Sequence, residues 1–104
     1  AMELVFTGAM IAGPEAARIG LVNKVVPAGQ ELRAARDLAH TIAQKAPRAI
    51  AGAKRAIRLG HDRSIREGLE LEAEAFETDV LGTSDLGEGI QAFLEHRPPK
   101  FTGA

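Results

Sequence analysis

Hydrophobic residues recur at steps of three and four along most of the chain, a spacing that predicts amphipathic helices. Four such stripes follow one another after residue 30. They comprise Leu32, Ala35, Leu38, Ala39, Ile42 and Ala43; then Ile50, Ala53, Ala56 and Ile57; then Ile65, Leu69, Ala73, Phe76 and Val80; and finally Leu86, Ile90, Phe93 and Leu94. Charged residues fill most of the other positions, so each helix is expected to bury one face only.

Residues that start or stop helices separate these stripes. Pro47 ends one helix and begins the next, because proline lacks the N–H that an interior turn requires. Gly60 is expected just after the second helix. The segment 64–67, SIRE, matches a capping box that opens the third helix. Gly82 closes that helix, and a hydroxyl at residue 83 or 84 caps the last one.

The first 29 residues show a different pattern. MELVFTG, residues 2–8, is typical of the end of a helix with its glycine stop. Gly13 as N-cap and a proline in the first turn predict a short helix over residues 14–19. Residues 21–27, LVNKVVP, are β-branched and closed by proline, which favours a short extended piece. The sequence therefore predicts a mainly α protein with one short extended piece.

Composition narrows the possible partners. The chain has 104 residues, a net charge of −1 and no cysteine. Because acidic and basic residues are interleaved, neither nucleic acid nor a membrane is an expected partner. No apolar run approaches the ~20 residues of a membrane span, and the absence of cysteine suits a cytoplasmic location. Many of the hydrophobic residues are alanine, so the expected core is thin.

Candidate catalytic and metal-binding groups do not form a recognisable motif. His40, His61 and His96 are far apart in the sequence, and the Gly87–Gly89 segment lies inside a predicted helix rather than in a phosphate-binding loop. No metal site is predicted. The hydrophobic stripes nevertheless require more covering surface than a short chain provides. They either close on one another as a bundle or dock on a missing domain or other subunits.

Five segments together resemble one known family. ELVFTG, PEAARIGLVNKVVP, APRAIAGAKRAI, GLELEAEAF and TSDLGEGIQAFLEHRPPKFTG are similar, in order and spacing, to the carboxy-terminal part of the enoyl-CoA hydratase/isomerase, or crotonase, superfamily. The resemblance implies a helical carboxy-terminal segment of the ClpP/crotonase-like fold. Residues 1–29 would follow a missing spiral core, and residues 30–104 would form a helical oligomerisation region.

The resemblance also implies a function. The parent reaction would be reversible hydration of a trans-2-enoyl-CoA, and this segment would cover the acyl-CoA site and build a trimer or hexamer. The family's catalytic glutamates and oxyanion hole precede this segment, so no catalytic residue and no cofactor are assigned here, and the chain alone is expected to be inactive. Hydratase, isomerase and other crotonase chemistries stay open, as does acyl-chain length. The alternative is a stand-alone helical module for self-association or partner binding.

Two substrate-binding residues follow from the resemblance alone. Phe93 matches a family phenylalanine that reaches the acyl-CoA site, although a core position in the last helix is an equal alternative. His96 replaces a lysine that contacts the CoA nucleotide in many members. A histidine is mostly neutral where a lysine is cationic, so Arg97 or Lys100 would have to compensate. The tail with Pro98, Pro99 and Phe101 is expected to lie across a neighbouring subunit.

Overall fold

The computed structural model describes residues 1–104, and its regular structure is entirely helical. The elements are α1 (Met2–Thr7), α2 (Gly13–Arg18), α3 (Glu31–Ala43), α4 (Pro47–Gly60), α5 (Ile65–Asp79) and α6 (Ser84–Leu94). The predicted mainly α class is confirmed. Packing separates two units, Ala1–Asp37 and Leu38–Ala104, with the boundary inside α3. The functional division between residues 29 and 30 stays a prediction.

The first unit is organised around α2. Ala16 is its buried residue, and the carbonyl of Ala16 accepts hydrogen bonds from the amides of Leu21 and Val22, which hold the start of the following segment on the helix. Residues 21–27 contain no helix and no strand. The N-cap of α2 is Ala12, and Gly13 lies inside the helix, where its missing side chain leaves room for Val25. The predicted N-cap, Gly13, is therefore one residue later than the observed one.

The second unit is built on the packing of α4 against α5. These helices meet through small residues: Gly52 and Ala75 are buried, and Gly60 lies beside Gly68. The predicted stripes are largely uncovered instead, with Ile57 73% and Ile65 86% exposed. Glycine and alanine allow two helix backbones to approach closely, so the small-residue face forms the contact and the bulkier face stays open.

The ends of α4 and α5 test the predicted start and stop signals. The capping box is confirmed, because the amide of Glu67 donates to the Ser64 hydroxyl and the Glu67 carboxylate accepts from the Ser64 amide. The end of α4 differs from the prediction. Gly60 is the last helical residue, and His61 follows it as the C-cap with right-handed helical angles.

Large hydrophobic side chains contribute little to the interior. The buried hydrophobic residues are Ala16, Ala75 and Ala92, and no large side chain is fully buried. Exposed large side chains occur on every helix except α2, among them Phe6, Leu32, Phe76 and Phe93. Each unit therefore presents apolar surface that its own residues do not cover. None of the helices combines the length and apolar character needed to cross a membrane.

Candidate functional site

The end of α6 reverses the direction of the chain. The amide of Arg97 donates to the Ala92 carbonyl at 3.0 Å, and the amide of His96 donates to the Phe93 carbonyl at 3.2 Å. This pair of bonds is the Schellman arrangement, in which the residue at C′ takes left-handed angles. His96 is that residue, with φ 54°, and it is the only residue other than glycine with a positive φ. Its backbone sends the following residues back along α6.

Residues 97–104, hereafter the strap, run from the end of α6 towards its start. The Glu88 carboxylate accepts the amide of Lys100 at 2.7 Å. One turn earlier, Asp85 accepts the amide of Thr102 at 2.7 Å on Oδ1 and that of Gly103 at 2.8 Å on Oδ2. The carboxylates of α6 therefore bind the strap along its main chain.

Arg97 makes a bidentate ion pair with Glu88, with N–O distances of 2.6 and 2.9 Å, and it also pairs with Glu95. The hydrogen bonds from Arg97, followed by that from the Lys100 amide, lower the pKa of Glu88 to about 2. The two carboxylates raise the pKa of Arg97. Arg97 is thus committed to carboxylates of its own chain, which leaves Lys100 as the nearby cation that could compensate for His96.

Phe93 lies on the open side of α6. Its side chain is 77% exposed and lines an apolar cleft of about 390 Å³ between the start of α4, the end of α5 and α6. The lining also includes Ala49, Val80, Ile90, Leu94 and, from the strap, Phe101. Such a surface suits an acyl chain or the apolar side chains of another polypeptide.

The two predicted site residues lie three positions apart in the chain, but only Phe93 lines this cleft. The backbones of Phe93 and His96 are hydrogen-bonded, whereas the His96 side chain is exposed and is not part of the lining. Residues of this chain do not bury the Phe93 side chain. The roles of Phe93 and His96 towards acyl-CoA stay predictions.

A second apolar cleft lies along the packed faces of α4 and α5. It measures about 450 Å³, and its lining includes Gly52, Ile57, Ala75 and Phe76. Ala49 and Val80 line both clefts, so the apolar surface continues from one to the other. No group of three or more His, Asp or Glu side chains in the 104 residues is placed to hold a metal ion.

Sequence reasoning missed the role of Asp85 and Glu88. Their position near the start of α6 suggested only a favourable interaction with the positive end of the helix. In the structure Asp85 is 4% exposed and is the one buried charged residue. The sequence predicted no reversal of the chain after α6, and spacing alone does not show which residues the strap meets.

The whole sequence, residues 1–104, matches the family described as "Enoyl-CoA hydratase/isomerase". The chain therefore belongs to the enoyl-CoA hydratase/isomerase family of the crotonase superfamily, as its motifs predicted. A probable enoyl-CoA hydratase of Mycobacterium bovis is 42% identical over 102 residues, which are 98% of this chain and 39% of that protein. A probable mitochondrial enoyl-CoA hydratase of Arabidopsis thaliana is 44% identical over 101 residues, 97% of this chain and 33% of the relative.

Structural comparison gives the same relationship. The crystal structure of enoyl-CoA hydratase from Bacillus anthracis matches with a TM-score of 0.90 and 40% identity, covering 98% of this chain and 39% of that one. The helical segment of the crotonase fold is thereby confirmed. The chain spans about two fifths of the length of the proteins that it matches.

Proposed function

We propose that this chain is the carboxy-terminal helical part of an enoyl-CoA hydratase-type protein, where it covers the acyl-CoA site and builds a trimer. The observation that carries the proposal is the uncovered apolar surface of α4, α5 and α6, on a chain that matches only 39% of a hydratase. Large contiguous apolar surfaces mark sites where another domain, subunit or ligand packs. The clefts beside Phe93 and Phe76 are the surfaces that such packing would cover.

The parent reaction in this proposal is the reversible addition of water to a trans-2-enoyl-CoA. Donors that stabilise the developing thioester oxyanion, and carboxylates that move the protons, would lie in the rest of the protein. Glu88 is not a candidate for that role, because its carboxylate is already used by the ion pair with Arg97 and by the Lys100 amide. The chain supplies binding surface and assembly rather than an acid or a base.

Phe93 and His96 are the proposed contacts with acyl-CoA. Phe93 projects from α6 into the apolar cleft, a position suited to the acyl part of the substrate or to its approach from an adjoining subunit. His96 lies in the turn after α6, and the proposal puts the nucleotide of CoA beside it. A cytoplasmic location also stays a prediction, since one of the relatives is named as mitochondrial.

A chimera tests the proposal directly. Residues 1–104 would replace the matching part of the Bacillus anthracis enzyme, to which they are 40% identical. The chimera is expected to hydrate crotonyl-CoA and to have the same mass in light scattering as the parent enzyme. A second chimera with Ile90→Asp, which places a charge in the apolar cleft, is expected to lose assembly. A folded chimera that is monomeric and inactive would contradict the proposal.

The alternative function, a stand-alone helical module for self-association, predicts different behaviour of the chain by itself. Both functions expect the isolated 104-residue polypeptide not to hydrate crotonyl-CoA, so its state of assembly is the readout that separates them. Under the alternative, it forms a discrete oligomer in light scattering, and Ile90→Asp dissociates that oligomer without any relative present. A discrete oligomer together with an inactive chimera would favour the module.

A further inference from the structure

The strap is attached to α6 by a small number of polar contacts. Asp85 uses both carboxylate oxygens for strap amides, and its Oδ1 also accepts the Thr102 hydroxyl at 3.3 Å. At the far end, the Ser84 hydroxyl donates to the Ala104 carbonyl at 2.8 Å. Pro98 and Pro99 are exposed. Hydrogen bonds to carboxylates are about twice as strong as neutral ones, so the bonds to Asp85 and Glu88 contribute most to the attachment of the strap.

Asp85 and Glu88 lie three positions apart and therefore on one face of α6. Between the amides that they hold, the strap carries Phe101, whose ring packs on Gly89. A β-carbon at residue 89 would lie 3.6 Å from the ring, which is ordinary contact. The same ring forms part of the wall of the apolar cleft that Phe93 lines. The position of this wall thus depends on the two carboxylates.

We propose that Asp85 and Glu88 form a two-point latch, and that the strap opens as a unit and carries Phe101 out of the cleft wall while α4 and α5 stay folded. Segments with few buried apolar contacts open at low free energy, independently of the packed helices. The strap fits this description, because only Arg97, Phe101 and Gly103 are even half-buried. The latch lies within this chain and does not depend on the proposed function.

Trypsin reports on the latch through one peptide bond. The Lys100–Phe101 bond lies between the amides held by Glu88 and Asp85, so cleavage requires release of the strap. The Arg97–Pro98 bond resists trypsin because proline follows it. In the folded 104-residue chain, Asp85→Asn is expected to raise the rate of cleavage after Lys100 about tenfold or more. Glu88→Gln should raise it as well, because the change removes the ion pair that holds Arg97, the first residue of the strap.

Internal and matched controls decide the result. Asp62→Asn makes the same chemical change in the turn after α4 and should leave the cleavage rate after Lys100 unchanged. In the same digest, cleavage after Arg55 and Arg66 reports on α4 and α5, and hydrogen exchange of those helices gives an independent measure. The latch is overturned if Asp85→Asn cleaves no faster than Asp62→Asn. It is equally overturned if cleavage or exchange in α4 and α5 rises as much as cleavage after Lys100.

Discussion

Gly52 of α4 lies so close to Asp79 of α5 that a β-carbon at residue 52 would be 2.8 Å from the Asp79 Oδ2 and 3.0 Å from its Cβ. Arg55 approaches the same Oδ2 at 2.9 Å, one turn further along α4. The Asp79 Oδ2 is buried and accepts no hydrogen bond, so the ion pair with Arg55 is its polar contact with α4. The missing side chain at residue 52 therefore sets the distance between the two helices of the second unit.

Gly52→Ala is expected to destabilise the chain by about 1–3 kcal/mol, because the new methyl group would push α4 away from α5. Chemical denaturation followed by circular dichroism measures the change. The control is Gly68→Ala, also inside a helix, where a β-carbon would meet nothing within 4 Å. That variant should gain about 0.5–1 kcal/mol from its better helix propensity. Two changes of the same sign would contradict this account of the interface.

The helices themselves were predictable from local signals, whereas their contact faces were not. The Ser64–Glu67 capping box and Pro47 marked helix ends, because capping and proline effects act within one turn. The end of α5 differs from the prediction, since the helix stops at Asp79 with Val80 as its C-cap, before Gly82. Hydrophobic periodicity identified the bulky stripe of α4, with Ile50 and Ile57, as its buried face. The structure packs the small-residue face instead. Periodicity reports which side of a helix is apolar, not which side meets the next helix.

The αL conformation of His96 leads to a second prediction. A non-glycine residue in this region costs roughly 1 kcal/mol, so His96→Gly should raise the free energy of unfolding by about 0.5–1 kcal/mol. His61 offers a matched control, since it also follows a helix but has φ −55°. His61→Gly should destabilise the chain by a similar amount. Urea midpoints of the two variants relative to the unmodified chain check the opposite signs.

Acid sensitivity follows from the lowered pKa of Glu88. Its folded value of about 2 lies below the ordinary value of 4.5, so the folded state binds the proton less tightly than the unfolded state. The stabilisation is complete above pH 4.5 and is lost as the pH falls towards 2. Hydrogen bonds from Ser64 and from Arg97 lower the pKa of Glu67 and of Glu95 and act in the same direction.

Glu88→Gln should therefore lower the urea midpoint at pH 7 and flatten its decline between pH 4.5 and 2, so that the variant and the unmodified chain converge in acid. Glu77→Gln removes a carboxylate of α5 that makes no hydrogen bond or ion pair. Its midpoint should follow that of the unmodified chain across the whole range. Parallel curves for Glu88→Gln and the unmodified chain would show that the pair with Arg97 does not stabilise the fold.

The candidate site was predictable only in part. Phe93 was identified by its family resemblance and lies exposed in an apolar cleft, but its position relative to Phe101 depends on the return of the strap. Asp85 is the clearest omission. An acidic residue in the first turn of a helix is so common that its sequence position carries little information. Only the fold reveals that both of its oxygens are used by residues 17 and 18 positions later.

Restoring a cation at residue 96 tests the proposed contact with the CoA nucleotide. In the hydratase chimera, His96→Lys is expected to lower the KM for crotonyl-CoA about two- to fivefold, the effect of one exposed charge pair, and to leave kcat unchanged. The gain should shrink as salt is added, because exposed charges are screened. His61→Lys adds the same charge at the turn after α4 and controls for a general increase in attraction of the anionic substrate. Arg97 does not interfere with this test, because it already pairs with Glu88 and Glu95. An equal fall in KM for both variants would show that residue 96 makes no specific contact with the nucleotide.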